Sequence, residues 1–270
     1  MKLIESKVEV IEQQPGLEGV YKQIELAGRT CYKSEDKITE DSAKEFVDRM
    51  IKSKHGAMLE HGTVYLSVPK EETEIIGFHG WCQYSKVRSD LVMEEPCNWL
   101  ITTNMRVLVE HDRLRDLKYI CEPTGRHEKR ITVRFTCDRG VSHEIVRHRV
   151  MSFAQESTRY CNYSKDKFGN ELTFIIPCKG NVLTGPLEAN STFVTAMMQA
   201  EHNYLDMLDE GFTPQVARQV LPNALKTEVV VTGFESDWEH FFELRTAGAA
   251  HPDMRKLALE LQEKLNSVNK

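Results

Sequence analysis

The sequence RHRVMSFAQESTRY, at residues 147–160, concentrates fixed positive charge in one short stretch, called here the arginine-rich motif. Apolar residues such as Ile145, Val150 and Phe153 flank or interrupt its arginines. These neighbours indicate that part of the motif is buried, and buried guanidinium groups need partners. No block of acidic residues lies nearby in sequence. A bound phosphate or carboxylate, held by forked arginine contacts, is therefore favoured over a solvated run of charge.

The segment before the motif predicts a strand that leads into a short helix. Ile131 to Cys137 alternates apolar residues with Thr and Arg, which is typical of a strand, and Asp138-Arg139-Gly140 predicts the turn after it. On the helix, His143 and His148 stand five residues apart, about 140° around the axis, whereas helical metal ligands stand four apart. The sequence predicts no metal site.

The segments after the motif predict a strand and two helices. Leu225 to Thr232 is β-branched, Ser236 or Asp237 can cap the following helix, and Pro252 to Val268 repeats leucine every fourth residue. The first of these helices carries an aromatic stripe that ends in an arginine: Trp238, Phe241, Phe242 and Arg245. Arg245 either extends along the surface into solvent or lies at the wall of a pocket.

The remaining elements follow from periodicity, caps and breakers. Strands are predicted over residues 2 to 12, 63 to 68 and 99 to 102. Helices are predicted up to Tyr32, across residues 43 to 51 with a Ser42/Glu45 capping box, after the potential N-cap Asn104, from Pro186 to a stop at Gly211, and from Thr213-Pro214. The methionine and aromatic stripe of the Pro186 helix is typical of a core or a subunit interface.

The whole chain predicts an α/β fold, a mixed sheet flanked by helices. A length of 270 residues can bury one substantial core, and we prefer a single domain to two small ones. The net charge of −6 argues against a broad nucleic-acid surface. Seven scattered cysteines favour a reducing, cytoplasmic compartment, and no apolar run predicts a signal peptide or a membrane span.

The arginine-rich motif resembles the signature of the flavin-dependent thymidylate synthases. In that family the triplet RHR is followed after seven residues by Ser-x-Arg, and this chain has Arg147-His148-Arg149 and Ser157-Thr158-Arg159 at that spacing. Further similar stretches stand in the family's order: HGAMLEH at residues 55–61, VARQVLP at 216–222 and WEHFFELR at 238–245. The resemblance covers most of the chain. Residues 70–129 look like an insertion relative to compact members.

The resemblance implies reductive methylation of dUMP to dTMP by a homotetramer, without nucleic acid or membrane as partner. FAD would be the cofactor, methylenetetrahydrofolate the one-carbon donor and NADPH the reductant. Arg245 would be catalytic, since a guanidinium aimed at the uracil carbonyls stabilises the charge that builds there. The family's flavin positions correspond to His55, Arg147, His148, Arg149 and His240. Its dUMP positions correspond to Glu144, Gln155, Ser157, Arg159 and Arg218.

Residue-level reasoning leaves alternatives open. Taken alone, His55 and His61 read as loop histidines that could bond Glu60, and Arg218 reads equally well as a surface residue. Phe234 and Ser236 stand where many members have Asn and Arg, so part of the FAD contact is missing or replaced. His240 and Arg245 are about 140° apart on one helix, which suggests that they serve pockets of different subunits. A flavoenzyme making another C5-modified pyrimidine nucleotide and a non-catalytic RNA-binding protein are the rival functions.

Overall fold

The computed structural model describes residues 1–89, 98–165, 168–178 and 191–268. Its strands are β1 (Lys2–Ile4), β2 (Lys7–Ile11), β3 (Thr63–Pro69), β4 (Lys86–Ser89), β5 (Asn98–Asn104), β6 (Arg130–Asp138), β7 (Ser152–Gln155), β8 (Thr173–Ile175) and β9 (Lys226–Phe234). Its helices are α1 (Gly16–Tyr32), α2 (Ser42–Lys52), α3 (Gly56–Leu59), α4 (Thr73–Trp81), α5 (Met105–Glu110), α6 (Arg139–Ile145), α7 (Thr192–Asp209), α8 (Pro214–Ala217), α9 (Glu235–Arg245) and α10 (Pro252–Val268).

The strands of the described residues form three sheets. An antiparallel four-stranded sheet has the order β2-β6-β9-β7, and an antiparallel three-stranded sheet has the order β3-β5-β4. Strands β1 and β8 form a parallel pair. The predicted mixed α/β architecture is confirmed, with the strands divided among several sheets.

The four-stranded sheet is buried on both faces. Alternation along β9 sends Val229 and Val231 into one core and Val230 into another. The first core contains the buried faces of α6, α9 and α10, including Trp238 and Leu257. The second core contains the buried face of α1 and extends to the three-stranded sheet. Because β9 pairs with both β6 and β7, it connects the strand that precedes the arginine-rich motif to the strand that lies within it.

Several predicted helix ends are confirmed. α1 ends at Tyr32, α10 spans Pro252–Val268, and α5 begins after Asn104, whose side chain accepts a hydrogen bond from Val107 N (3.2 Å). The predicted start of α7 at Pro186 lies outside the described residues. Within them, α7 begins at Thr192 after the N-cap Ser191.

Two predicted caps are wrong. Ser42 is a helical residue of α2 whose hydroxyl donates to Glu25 Oε2 (2.8 Å), so no Ser42/Glu45 capping box forms. α9 begins at Glu235, two residues before a Ser236 N-cap would place its start. The alternative, Asp237, does cap the helix from its third residue, where its carboxylate accepts from the backbone N–H of Phe234 (2.9 Å). Ser42 is recruited by a buried carboxylate, a tertiary contact that local spacing does not reveal.

The segment predicted as an insertion is tied into the fold through β3. Its strands β4 and β5 complete the three-stranded sheet, in which β5 pairs with β3 along its whole length, from Thr63 opposite Asn104 to Pro69 opposite Asn98. Among the helices of the described residues, none combines the length and the apolar character that crossing a bilayer requires.

Candidate active site

Strand β6 and helix α6 deliver the arginine-rich motif to the edge of the four-stranded sheet. Asp138 ends β6 and caps α6 by accepting from Val141 N (2.8 Å). After α6 the chain turns and adds β7 beside β9, from Ser152 opposite Thr232 to Gln155 opposite Val229. The RHR triplet therefore lies in the turn between α6 and β7, and the Ser-x-Arg part lies just after β7.

Arg245, at the end of α9, contacts the RHR triplet. Its Nε donates to His148 Nε2 (2.9 Å), its Nη1 forms an ion pair with Glu144 Oε2 (2.5 Å), and its Nη2 donates to the Glu144 backbone carbonyl (3.1 Å). We call these three residues the Arg245 cluster. A guanidinium has five N–H donors, of which these contacts use three. Arg245 is thus oriented by the protein and keeps donors for a ligand.

His148 accepts the hydrogen bond from Arg245, because a guanidinium can only donate. Its remaining proton therefore lies on Nδ1. Burial, together with the positive charge of Arg245 and the proximity of His240, lowers the pKa of His148 to about 4. The imidazole is therefore neutral at physiological pH, and its ring lies 4.9 Å from that of Phe241, centroid to centroid.

His240 also lies against this imidazole, with ring centroids 6.1 Å apart. The angular separation on α9 therefore does not keep His240 and Arg245 apart within one chain, and their assignment to pockets of different subunits stays a prediction. The long side chain of Arg245 folds back towards α6, and His148 fills the space between the two residues. Helical angle describes where side chains leave the backbone, and it does not fix where a long side chain ends.

Hydrogen bonds to α6, β9 and α1 position Gln155 and Ser157. The Gln155 amide nitrogen donates to Ser142 Oγ (2.9 Å) and Thr227 Oγ1 (3.3 Å). The Ser157 N–H donates to the Cys31 carbonyl (3.0 Å), and its hydroxyl oxygen accepts from Arg159 N (3.3 Å). No acidic or histidine side chain of the described residues forms a hydrogen bond with Ser157, so the structure provides no base to activate it.

Four other arginines differ from Arg245 because they are exposed and form no ion pair with any described residue. These are Arg147, Arg149, Arg159 and Arg218. Arg218 donates to Thr158 Oγ1 (3.2 Å), and the Arg159 guanidinium lies 5.5 Å from the centre of the Tyr160 ring. The hydroxyl contact orients Arg218 and the aromatic contact orients Arg159, and neither contact neutralises the guanidinium. The charge of both side chains therefore remains available to an anion.

His55 reaches the motif through aromatic side chains. Its ring centroid lies 6.5 Å from that of Tyr32, which lies 5.4 Å from that of Tyr160. His61 behaves differently, since it is buried and bonded to Thr232 Oγ1 (2.9 Å). Burial and the charge of Arg130 lower the pKa of His61 to about 3.

The contact proposed between the loop histidines and Glu60 is not formed by His61. Glu60 pairs instead with Arg106 Nη1 (2.5 Å). His61 therefore lies in the core as a neutral, structural residue.

Phe234 and Ser236 are occupied by contacts within the chain. Phe234 is buried, with Lys86 Nζ and Arg130 Cζ each 5.5 Å from its ring centre. Ser236 donates to Glu128 Oε1 (2.7 Å). Lys86 and Glu128 both come from the segment predicted as an insertion, so that segment covers the two positions at which the family pattern is broken.

Sequence reasoning missed a set of charged residues behind Ser157. Glu156, Lys226, Glu228 and Lys33 form a continuous series of ion pairs. The signal was present in part, because Lys226 and Glu228 alternate on β9 and must share a face. The pairing of Glu228 with Lys33, almost two hundred residues earlier in the chain, has no local signature.

The predicted residues lie partly at the surface and partly in the interior, since Arg147, Arg149, Arg159 and Arg218 are exposed whereas His148 is buried. A cavity of about 400 Å³ lies elsewhere, between the end of β2 and the start of β6, lined by residues such as Gln13, Tyr65 and Arg130. None of the predicted site residues lines that cavity. Among the described residues, no group of three or more His, Cys, Asp or Glu side chains is arranged to hold a metal ion.

Comparison with known proteins gives matches centred on this site. The profile of the family described as "Thymidylate synthase complementing protein" matches residues 127–269, which include every predicted site residue except His55. Flavin-dependent thymidylate synthases from Geobacter sulfurreducens and Pyrococcus furiosus are 34% and 30% identical over 130 and 129 residues. These alignments cover 48% of this chain and 53% and 51% of the relatives, so the chain spans about half the length of the curated relatives it matches.

Among solved structures, the chain is similar to a UMP/dUMP methylase, PolB from Streptomyces cacaoi, described as bound with 5-Br dUMP. The TM-score is 0.46 and the identity 16%, with 99% of this chain and 93% of that chain covered.

Proposed function

This chain belongs to the thymidylate synthase complementing protein family, and from that premise we propose that it methylates dUMP reductively to dTMP. Methylenetetrahydrofolate donates the carbon, NADPH the reducing equivalents, and FAD is the redox cofactor. The observation that carries the proposal is the Arg245 cluster. A guanidinium from α9 is held by the RHR triplet and Glu144 with donors to spare.

Arg245 is the proposed catalytic residue. For uracil C5 to attack a one-carbon unit, negative charge must build on the pyrimidine carbonyls. A guanidinium fixed beforehand stabilises that charge without reorganising. Glu144 and His148 fix it here, and the neutral state of His148 avoids a second cation that would repel Arg245. Glu144 would also contact dUMP.

Arg159 and Arg218 are proposed to bind the dUMP phosphate, with Gln155 and Ser157 contacting the nucleotide. Support comes from the two arginines, which carry no carboxylate partner among the described residues and are connected through Ser157-Thr158. Forked N–H donors match phosphate oxygens. Ser157 acts as a ligand to dUMP and not as a nucleophile, since no base contacts it.

The flavin would be held by His55, Arg147, His148, Arg149 and His240. The fit rests on Arg147 and Arg149, two exposed cations without a described counter-charge, beside the aromatic rings of His148 and His240. When bound, FAD would carry reducing equivalents from NADPH to the one-carbon unit. Phe234 and Ser236 contribute no polar group to it, because the segment 70–129 already engages both.

We further propose a homotetramer of cytoplasmic, single-domain subunits, with residues 70–129 as an insertion and active sites between subunits. Val146 and Val150, two exposed apolar side chains beside the RHR triplet, support shared active sites. The scattered free cysteines support a reducing compartment.

The absorption spectrum of the purified protein with added FAD tests the flavin assignment. We expect a bound-flavin spectrum in the parent and its loss in the Arg147→Ala/Arg149→Ala double variant. The matched control is Arg49→Ala/Arg134→Ala, which removes two surface arginines that pair with Glu45 and Glu9. If the first double variant retains flavin as the control does, the assignment of the RHR triplet is wrong.

A further inference from the structure

A buried network of ion pairs lies directly behind the predicted dUMP ligands. Lys226 Nζ contacts Glu156 Oε2 (2.9 Å) and Glu228 Oε1 (2.6 Å), and Glu228 Oε2 contacts Lys33 Nζ (2.9 Å). We call these four residues the ion network. The Tyr163 hydroxyl donates to the other oxygen of Glu156 (3.0 Å). Only 2% of the Glu156 side chain is exposed, so its charge depends on these partners.

The ion network connects three separate parts of the chain. Glu156 lies between Gln155 and Ser157, and Lys226 and Glu228 lie on β9. Lys33 is the C-cap residue directly after α1 and has a left-handed backbone conformation (φ 47°). Backbone hydrogen bonds follow the same route, from Glu156 N to Glu228 O (2.8 Å) and from Ser157 N to Cys31 O (3.0 Å). The conformation of residues 155–159 is therefore set by α1 and β9 together.

The lysine ammonium groups of the network form ion pairs with its carboxylates. Burial alone would raise the pKa of Glu228, but the ammonium groups of Lys226 and Lys33 outweigh it and lower that pKa to about 2. Lys33 also pairs with Glu35 Oε1 (3.1 Å), at the outer end of the network. Glu156, only three residues before Arg159, is engaged by Lys226 and Tyr163.

We infer that Lys226 and Glu156 are positioning residues for the dUMP phosphate, holding residues 155–159 so that Ser157, Arg159 and the Thr158–Arg218 contact present one anion site. The inference rests on the proposed function for the identity of the anion. Neither residue is assigned to touch the substrate. Their effect passes through the backbone hydrogen bonds of residues 156 and 157.

Substitution of Lys226 is the test, with dUMP as the probe. Lys226→Met leaves Glu156 and Glu228 without their shared ammonium, and we expect the Kd and KM for dUMP to rise by about tenfold or more. Because Arg245 and the RHR triplet are untouched, flavin absorbance should persist and kcat should fall much less than KM rises. Lys226→Arg restores a cation and should recover most of the affinity.

The matched control is Lys264→Met. Like Lys226, Lys264 bonds two acceptors, here the backbone carbonyl of Val8 (2.6 Å) and Glu260 Oε1 (2.7 Å). It lies on α10, away from the motif. It should leave dUMP affinity unchanged. A parent-like Kd for dUMP in Lys226→Met would overturn the inference while leaving the proposed function intact.

Hydrogen exchange separates this inference from the proposed function. In Lys226→Met we expect the amides of residues 155–161 to lose protection while those of α10 keep it, and the reverse order in Lys264→Met. If the parent protein binds no dUMP, the proposed function fails, and the exchange pattern alone decides whether the network positions this segment. Unchanged protection of residues 155–161 in Lys226→Met would refute the positioning role.

Discussion

The arginines of the candidate site divide into two groups that differ in what holds them. Arg245 is fixed inside the chain by Glu144 and His148, whereas Arg147, Arg149, Arg159 and Arg218 have no carboxylate partner among the described residues. The same side-chain type thus serves two purposes. A paired guanidinium is preorganised and retains its orientation without substrate, and an unpaired one retains its full attraction for an incoming anion.

The sheet explains why Arg159 lies apart from Arg245, whereas Arg147 and Arg149 belong to the triplet that Arg245 contacts. β9 leads into α9 and so places Arg245 against α6 and the RHR triplet, beside β6. Strand β7 carries the chain from that triplet to Ser157 and Arg159, on the edge of the sheet next to α1. If the proposed function holds, chemistry at the pyrimidine ring and recognition of its phosphate should therefore respond to different substitutions.

The largest effect is expected from removing the paired arginine. Arg245→Ala should lower the rate of dTMP formation by about a hundred- to a thousandfold, since one preorganised donor to developing charge is lost. Flavin reduction by NADPH, which needs no charge on the uracil carbonyls, should remain close to the parent rate. Both half-reactions are measured in the same preparation.

The control for this change is Arg49→Ala, which removes an exposed arginine paired with Glu45 on α2. It should leave both half-reactions unaltered. Near-parental dTMP formation in Arg245→Ala would show that Arg245 only extends along the surface, and the catalytic role would move elsewhere.

Low pH should destabilise the folded chain in part through His148, the histidine of the Arg245 cluster. The pKa of His148 is about 4 in the folded chain, against about 6.5 for a histidine in an unfolded chain. Between these values the unfolded chain binds a proton that the folded chain does not. The free energy of unfolding should therefore fall as the pH drops from about 6.5 to 4, by up to about 3 kcal/mol from this residue.

The contribution of His148 is isolated by substitution. His148→Asn should flatten the pH dependence of denaturant unfolding over that window, whereas His202→Asn, at an exposed histidine of α7, should not. Burial also lowers the pKa of His61 and of His79, so part of the slope remains in His148→Asn. An unchanged slope in that variant would mean that His148 does not titrate as its contacts require.

An intermediate effect is expected from substituting Arg159, one of the four arginines without a carboxylate partner among the described residues. Arg159→Lys keeps the charge and loses the forked geometry, so dUMP affinity should weaken by roughly 1 to 3 kcal/mol. Isothermal titration with dUMP measures it, and the rate at saturating dUMP serves as the contrast with Arg245→Ala. Unaltered affinity would remove Arg159 from the phosphate site.

The smallest effect is expected from loosening Arg218 without removing it. Thr158→Val deletes the hydroxyl that accepts from Arg218 Nη1 and preserves the shape of the side chain. Loss of one such hydrogen bond should weaken dUMP binding by about 1 kcal/mol. Thr30→Val, which removes a hydroxyl bonded to Leu26 O within α1, is the control. Equal affinities in the two variants would argue that Arg218 is not preorganised by Thr158.

Local patterns predicted much of the fold and of the motif, and tertiary contacts supplied the rest. α10 was predictable because Pro252 can begin a helix and its leucines recur with helical spacing. The arginine-rich motif was readable because its residues are contiguous. The Asp237 cap of α9 was predictable as well, because it bonds Phe234 N only three residues away. The Arg245–His148 contact joins residues 97 positions apart, and no local stretch of sequence contains both.

The ion network could also be predicted only in part from the sequence. Lys226 and Glu228 could be placed on one face of β9 by alternation, but their partners Lys33 and Glu156 come from α1 and from the end of β7. Likewise the burial of Phe234 under Lys86 and Arg130 depends on how residues 70–129 pack, which composition does not predict.

Identification of the nucleotide product tests the proposed reaction most directly. The purified protein is incubated with FAD, NADPH, methylenetetrahydrofolate and dUMP, and the nucleotide is analysed by mass spectrometry, with Arg245→Ala in parallel. We expect dTMP from the parent protein and only traces from the variant. A hydroxymethyl or other C5-modified product, or dUMP returned unchanged by a flavin-loaded parent protein, would contradict the assignment.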